Sequence, residues 1–292
     1  LLGALETDAG LRELCQPRHP EAGKQRRAGS VGPGMDGPNP LRVLISVLRA
    51  LRLGKPEPSG SQRVDHTGLD PILDAVARDG VAALDGTADD LQAYIDNLAA
   101  VNPDALAPDE AKAYWLNLYN AGALDLARRT YVNDSPTVFG IPGAFDRPFV
   151  TVDGERLSLD GIEHGKVRRF GDPRIHAALV CGSASCPTLR FEAYRGPGIE
   201  GQLDDQMRAW IGAGAASADR DNGILRLSRI FLWYGADFVR PDRMPSLLPV
   251  SKRRVGAAVA PWLPESDQEW MAAANPKVEF QSYDWSLSCT VR

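Results

Sequence analysis

The chain has 292 residues, 43% hydrophobic and 24% charged, with 33 Lys and Arg against 38 Asp and Glu for a net charge of −5. That length and apolar content are enough for a real core in one or two domains. The acidic balance gives nucleic acid no basic field to bind, four cysteines are too few for a disulfide scaffold, and no apolar run reaches the roughly 18 residues of a membrane span.

Residues 1–64 read as a low-complexity or disordered extension. Gly, Pro, Arg and Ser dominate 17–40 and 54–62, and such a composition buries too little apolar surface to order itself. Met35 stands before Asp36-Gly-Pro, which marks 1–34 as a tail or a translation artefact. Within the extension, 41–53 predicts a short amphipathic helix with Arg42, Ser46 and Arg49 on one side. Two partners compete for its apolar side, the main domain or a membrane surface; packing is preferred because so short a helix holds lipid weakly. No small-residue cleavage site follows it, so it does not read as a signal peptide, and the cytoplasm is the expected location.

From residue 65 to 288 the pattern predicts one α+β domain, a buried helical layer with a small, mainly antiparallel sheet. Helices are expected over 69–76 and 87–101, where apolar residues recur three and four apart. Pro108-Asp-Glu opens a stronger helix to about Arg129, apolar nearly all round and therefore buried. Asn117 and Asn120 lie three apart on it, and each amide needs partners there: backbone of neighbouring loops, a histidine to orient, or a substrate carbonyl. Asp153-Gly154 predicts a two-residue hairpin turn, and Ser158 a cap for a helix carrying Glu163 and His164. A helix is expected over 199–211, a strand over 224–230, helices over 231–239 and 251–262, and a last strand over 278–287.

The chemistry concentrates between Asp172 and Pro187. Ile175 to Cys181 reads as a buried strand, with His176 and Cys181 on opposite faces. A small-residue loop then reaches Cys186. A thiol nucleophile needs a lowered pKa and an oxyanion needs N–H donors, and the 182–185 loop can present such groups around Cys186. His176 or His164 would then be the base, with Asn117, Asn120 or Glu163 orienting it. The same residues permit other readings: zinc held by Cys181, Cys186, His164 and His176, or a reversible Cys181–Cys186 disulfide.

Five motifs carry a resemblance: Trp115-Leu-Asn-Leu-Tyr-Asn120, Ile162-Glu-His164, Asp172-Pro-Arg-Ile-His176, Cys181-Gly-Ser-Ala-Ser-Cys-Pro187 and Tyr283-Asp-Trp-Ser-Leu287. Together they resemble the domain of unknown function family 547, over roughly 69–288. The resemblance implies bacterial and plant relatives, with leucine-zipper, glutaredoxin-like and DEP companions that point to thiol chemistry or signalling assembly. The expectation is a thiol-dependent hydrolase or acyl transferase with Cys186 as nucleophile, His176 as base and Asn117 or Asn120 as orienting group. Against it stands a non-catalytic interaction module, with a protein partner, whose polar motifs lock the core. No cofactor is expected beyond the zinc alternative.

Overall fold

The computed structural model describes residues 40–291, so the expected tail over 1–34 lies outside the described residues. The element on which the others pack is the long helix Pro108–Val132. In chain order the helices are α1 (Pro40–Ala50), α2 (Asp70–Asp79), α3 (Ala83–Gly86), α4 (Ala88–Ala99) and α5 (Pro108–Val132). Proline at its first turn, two acids behind it and apolar residues on every side account for α5, which is buried from Glu110 through Ala127 except for two half-buried positions. Leu73, Val76, Leu84, Leu91 and Leu98 from α2, α3 and α4 close over one side of it.

The hairpin follows as the turn chemistry predicts. Strands β1 (Val150–Val152) and β2 (Glu155–Leu157) pair antiparallel, and Asp153 and Gly154 both take positive φ, 47° and 78°. That is the doubly left-handed turn that matches strand twist. Ser158 Oγ then accepts from the Gly161 N–H at 3.0 Å and caps α6 (Leu159–Gly165).

The rest of the chain adds Ile175, Ala178, Ile199 and Leu203 to the core around α5 and builds a second one. This part comprises α7 (Ile175–Ala178), α8 (Ile199–Trp210), β3 (Ala216–Asp219), β4 (Ile224–Leu227), α9 (Ile230–Trp233), α10 (Gly235–Val239), α11 (Lys252–Val259), α12 (Glu265–Ala274) and β5 (Lys277–Phe280). Met207, Trp210, Leu225, Leu227, Phe231, Phe238, Val255 and Val278 pack together there. The class is α+β as expected, but the strands form two small sheets, and the larger is mixed. β3 pairs antiparallel with β4, while β5 pairs parallel with β4. A parallel neighbour needs a crossover, which α9 to α12 provide.

Four local expectations change. Ile175 to Cys181 is not a strand: Asp172 Oδ1 accepts from the Arg174 N–H, and the carbonyls of Asp172 and Pro173 start the short helix α7 instead. A brief apolar run does not tell helix from buried strand. The last strand stops at Phe280, the strand begun at Ile224 stops at Leu227, and the helix expected over 231–239 is divided at Tyr234. No helix is expected over α12, whose sequence has no clear apolar periodicity.

The helix expected over 41–53 runs Pro40–Ala50 and lies against α6. Val47 and Ala50 are buried there, and Ser46 Oγ donates to the Asp160 carboxylate. The approach is close because α6 has no side chain at its contact point. A Cβ on Gly165 would stand 2.8 Å from the Ala50 carbonyl oxygen and 2.9 Å from Leu53 Cδ1. Gly165→Val is expected to cost about 1–3 kcal/mol in urea unfolding, as overpacking does. Gly201→Ala, on open surface in α8, is expected to leave stability unchanged or raise it by up to about 1 kcal/mol.

Candidate functional site

Two polar centres, one buried and one half-buried, meet at α7 and the segment that follows it. The first is organised on Asp237, which is 0% exposed. Arg168 grips its carboxylate with two bonds, from Nε at 2.7 Å and Nη2 at 3.0 Å. His176 Nε2 stands 3.0 Å from Oδ2, and the Ser246 N–H donates to Oδ1 at 2.9 Å. Burial by itself would raise the Asp237 carboxyl, but the His176 and Arg168 hydrogen bonds outweigh it and hold it well below the usual carboxylate range. Tyr234 stacks on the His176 ring with centroids 4.2 Å apart and lies under the Arg168 guanidinium.

His164 belongs to the same centre. Arg168 Nη1 is 3.1 Å from His164 Nδ1, and a guanidinium only donates, so Nδ1 is the unprotonated nitrogen. Burial, with the Arg168 charge beside it, pulls the His164 pKa down to about 3. Glu163 lies between His164, 3.6 Å from its Nδ1, and the Tyr119 hydroxyl at 3.4 Å.

The second centre is the thiol pair. Cys181 and Cys186 Sγ are 3.0 Å apart, and the Cys181 N–H donates to Cys186 Sγ at 2.9 Å. Ser183 Oγ is 3.1 Å and Tyr283 Oη 3.5 Å from Cys181 Sγ, with the two hydroxyls 2.8 Å from each other. The hydrogen bond from Cys186 leads the causes, working against burial and helped by Ser183 and Tyr283, and the Cys181 thiol falls to about 6. Burial pushes Cys186 up, so in this pair Cys186 keeps the proton. Cys289, buried nearby, is raised to about 12.

Both asparagines serve backbone. Asn117 donates to the Tyr194 carbonyl at 2.8 Å and accepts from the Tyr194 N–H at 2.9 Å. Asn120 does the same for the segment leading to the thiols, donating to Ala178 O at 3.0 Å and accepting from Val180 N at 3.1 Å. From one buried helix they fix two extended segments that have no strand partner there. Neither amide touches an imidazole.

The expected pairing of Cys186 with His176 does not form, because the imidazole is committed to Asp237 and Tyr234 while Cys186 contacts Cys181. Two of the loop N–H groups expected to line an oxyanion hole are also occupied, Ala184 N donating to Ser286 O and Ser185 N to Asp284 O, and Cys186 N donates to Ser183 O. Nor do the four residues considered for zinc come together. Among the described residues no group of three or more His, Cys, Asp or Glu side chains is placed to hold a metal ion. A cavity of about 830 Å³ between 62–72 and α4 is lined by none of these thiols or imidazoles.

Sequence reading missed Asp237, Arg168 and the role of Tyr283. A lone acid inside the apolar run Gly235-Ala-Asp-Phe-Val was the available sign for Asp237. The Tyr283 motif falls within the strand expected over 278–287, which ends at Phe280. In the fold its segment is laced to the cysteine loop, with Ser288 N donating to Gly182 O and Asp284 N to Ser185 Oγ.

Residues 103–211 match the model of DUF547, a protein family of unknown function. No curated protein and no solved structure matches the chain. The DUF547 match is narrower than the expected 69–288. It contains α5 with both asparagines, Glu163, His164, Arg168, His176 and both thiols, while Asp237 and Tyr283 lie beyond it. The partners that complete each centre therefore come from the second core.

Two outcomes follow from the Asp237 centre. Asp237→Ala leaves the Arg168 charge buried without its carboxylate, and about 3–5 kcal/mol of stability is expected to be lost in urea unfolding at neutral pH. His164 is neutral in the folded chain down to about pH 3, whereas the unfolded chain protonates it near 6.5. Its contribution is complete above about 6.5 and declines towards 3, by up to about 1.4 kcal/mol per pH unit. Stability measured at pH 7 and pH 5 is expected to fall less in His164→Gln, whose amide oxygen still accepts from Arg168, than in the unsubstituted protein.

Proposed function

We propose that Cys181 and Cys186 are a dithiol centre that reduces a disulfide by thiol–disulfide exchange, with Cys181 attacking and Cys186 resolving. The 3.0 Å approach of the two sulfurs carries this reading. The attacking sulfur lies within reach of the Ser183 and Tyr283 hydroxyls, which also bond each other, and its neighbour sits close enough to complete the exchange. Hydrolysis or acyl transfer asks for an imidazole beside the thiol, and the two imidazoles of this region bond Asp237 and Arg168 instead.

The chemistry balances without a further reactant. The Cys181 thiolate attacks one sulfur of the partner disulfide, forming a mixed disulfide and expelling the other sulfur as a thiolate. Cys186 gives its proton to that thiolate and attacks Cys181 Sγ. The second partner sulfur leaves, and a Cys181–Cys186 disulfide remains. Two electrons have passed from the pair to the partner.

The test uses oxidised glutathione and the reduced, full-length chain. The expected product is a 181–186 disulfide, seen by peptide mass, while Cys186→Ser stops at a glutathione adduct on Cys181. Alkylation of Cys181 is expected to titrate near 6 and to move up in Cys186→Ser and in Tyr283→Phe. If Cys181 titrates like a free thiol, near about 8.5, and no internal disulfide forms, the proposal fails. The thiols would then be packing in a non-catalytic interaction module.

A further inference from the structure

The helix α1 has two apolar sides, and the fold uses one. Val47 and Ala50 face α6. Leu44, Ile45 and Leu48, which share the opposite side at helical spacing, are 42%, 40% and 48% exposed. Single exposed apolar residues need no explanation, but three neighbouring ones on one helix do.

Within α1 and the turn after it the charge is of one sign. Arg49, Arg52 and Lys55 follow within seven residues, all exposed, and no acidic residue occurs between Pro40 and Pro56 in a chain whose net charge is −5. At the end of α1 a groove of about 470 Å³ adds Arg169 beside Lys55, with Leu51 on its wall and Asp242 as its one acid. Arg169 Nη2 holds the Leu51 carbonyl at 2.7 Å, and its Nε has no hydrogen-bond partner. The nearby Glu155 carboxylate is engaged by Lys166 and by the Gly54 N–H. Met244 and Pro245, on the far side of the groove, lead in the chain to Leu247 and Leu248, both exposed.

We infer that this face is a docking surface for an anionic lipid bilayer. Leu44, Ile45 and Leu48 enter the boundary between headgroups and acyl chains, and Arg49, Arg52, Lys55 and Arg169 meet the headgroup phosphates. An apolar stripe beside a basic edge is the arrangement of a helix that lies in the plane of a membrane. No described helix is long and apolar enough to cross one. Docked on α6 by its other side, α1 brings the whole domain to the surface.

Co-sedimentation of the full-length chain with vesicles tests this. Binding is expected to vesicles of equal parts phosphatidylcholine and phosphatidylserine, and not to phosphatidylcholine alone. Arg49→Gln with Arg52→Gln is expected to weaken it about 25-fold, since each basic residue at an anionic surface contributes about fivefold. Leu44→Glu with Leu48→Glu is expected to abolish it with the melting temperature unchanged, because both side chains are already exposed. Equal binding to the neutral vesicles, or none to either, overturns the inference. So does loss of binding when inorganic phosphate replaces chloride at constant ionic strength, which would assign the groove to a free anion. A dimer in sedimentation equilibrium that Leu48→Glu dissociates would give the face to a second copy of the chain and overturn it as well.

Discussion

The bidentate bond between Arg168 and Asp237 joins the two cores. Arg168 stands just after α6, among residues that pack on α5, and Asp237 lies on α10 in the second core. A buried ion pair is not in itself stabilising, since desolvation of both charges offsets much of their attraction. Its effect here is on placement. Asp237 also takes His176 from α7 and the Ser246 N–H from the loop beyond α10, so one carboxylate sets the relative positions of four segments. An apolar contact in the same place would tolerate sliding, whereas these bonds fix direction as well as distance.

α5 works in a related way, through amides. Asn117 and Asn120 each offer one donor and one acceptor to a stretch of backbone, as a neighbouring strand would. The chain can therefore cross the buried helix in extended form at Tyr194 and at Val180 without leaving peptide groups unpaired. The segment from Ala178 to Cys181 is held by Asn120 at one point and by the 283–288 segment beyond it. The geometry of the thiol pair is thus imposed from both cores.

Much of this was legible where the signal is local. Pro108-Asp-Glu and continuous apolarity gave α5, and Asp153-Gly154 with Ser158 gave the hairpin and the cap behind it. The need of two buried amides for partners was also plain, and backbone was among the partners considered. What stayed hidden depends on residues far apart in the chain. Cys186 looked like the reactive thiol because it closes a small-residue loop, yet the donors that distinguish Cys181 include Tyr283, more than a hundred residues on. His176 looked available to a thiol until Asp237 claimed it. The strand expected at Ile175 to Cys181 failed for a different reason. Its run is short, and the Asp172-Pro-Arg start decides the local conformation through hydrogen bonds that apolar pattern does not record.

The lacing of the cysteine loop to the 283–288 segment also orders events during synthesis. Cys181 and Tyr283 are separated by 102 positions. At about 5–20 residues per second, roughly 5–20 s pass between the making of the thiol and of the hydroxyl that helps to acidify it. Throughout that interval the nascent chain carries Cys181 without the Tyr283 hydroxyl, and the 182–185 loop without the carbonyls of Asp284 and Ser286 that tie it down. The thiol centre matures only after the 283–288 segment has been made, so a chain that stops short of it carries both cysteines without the environment that sets them apart.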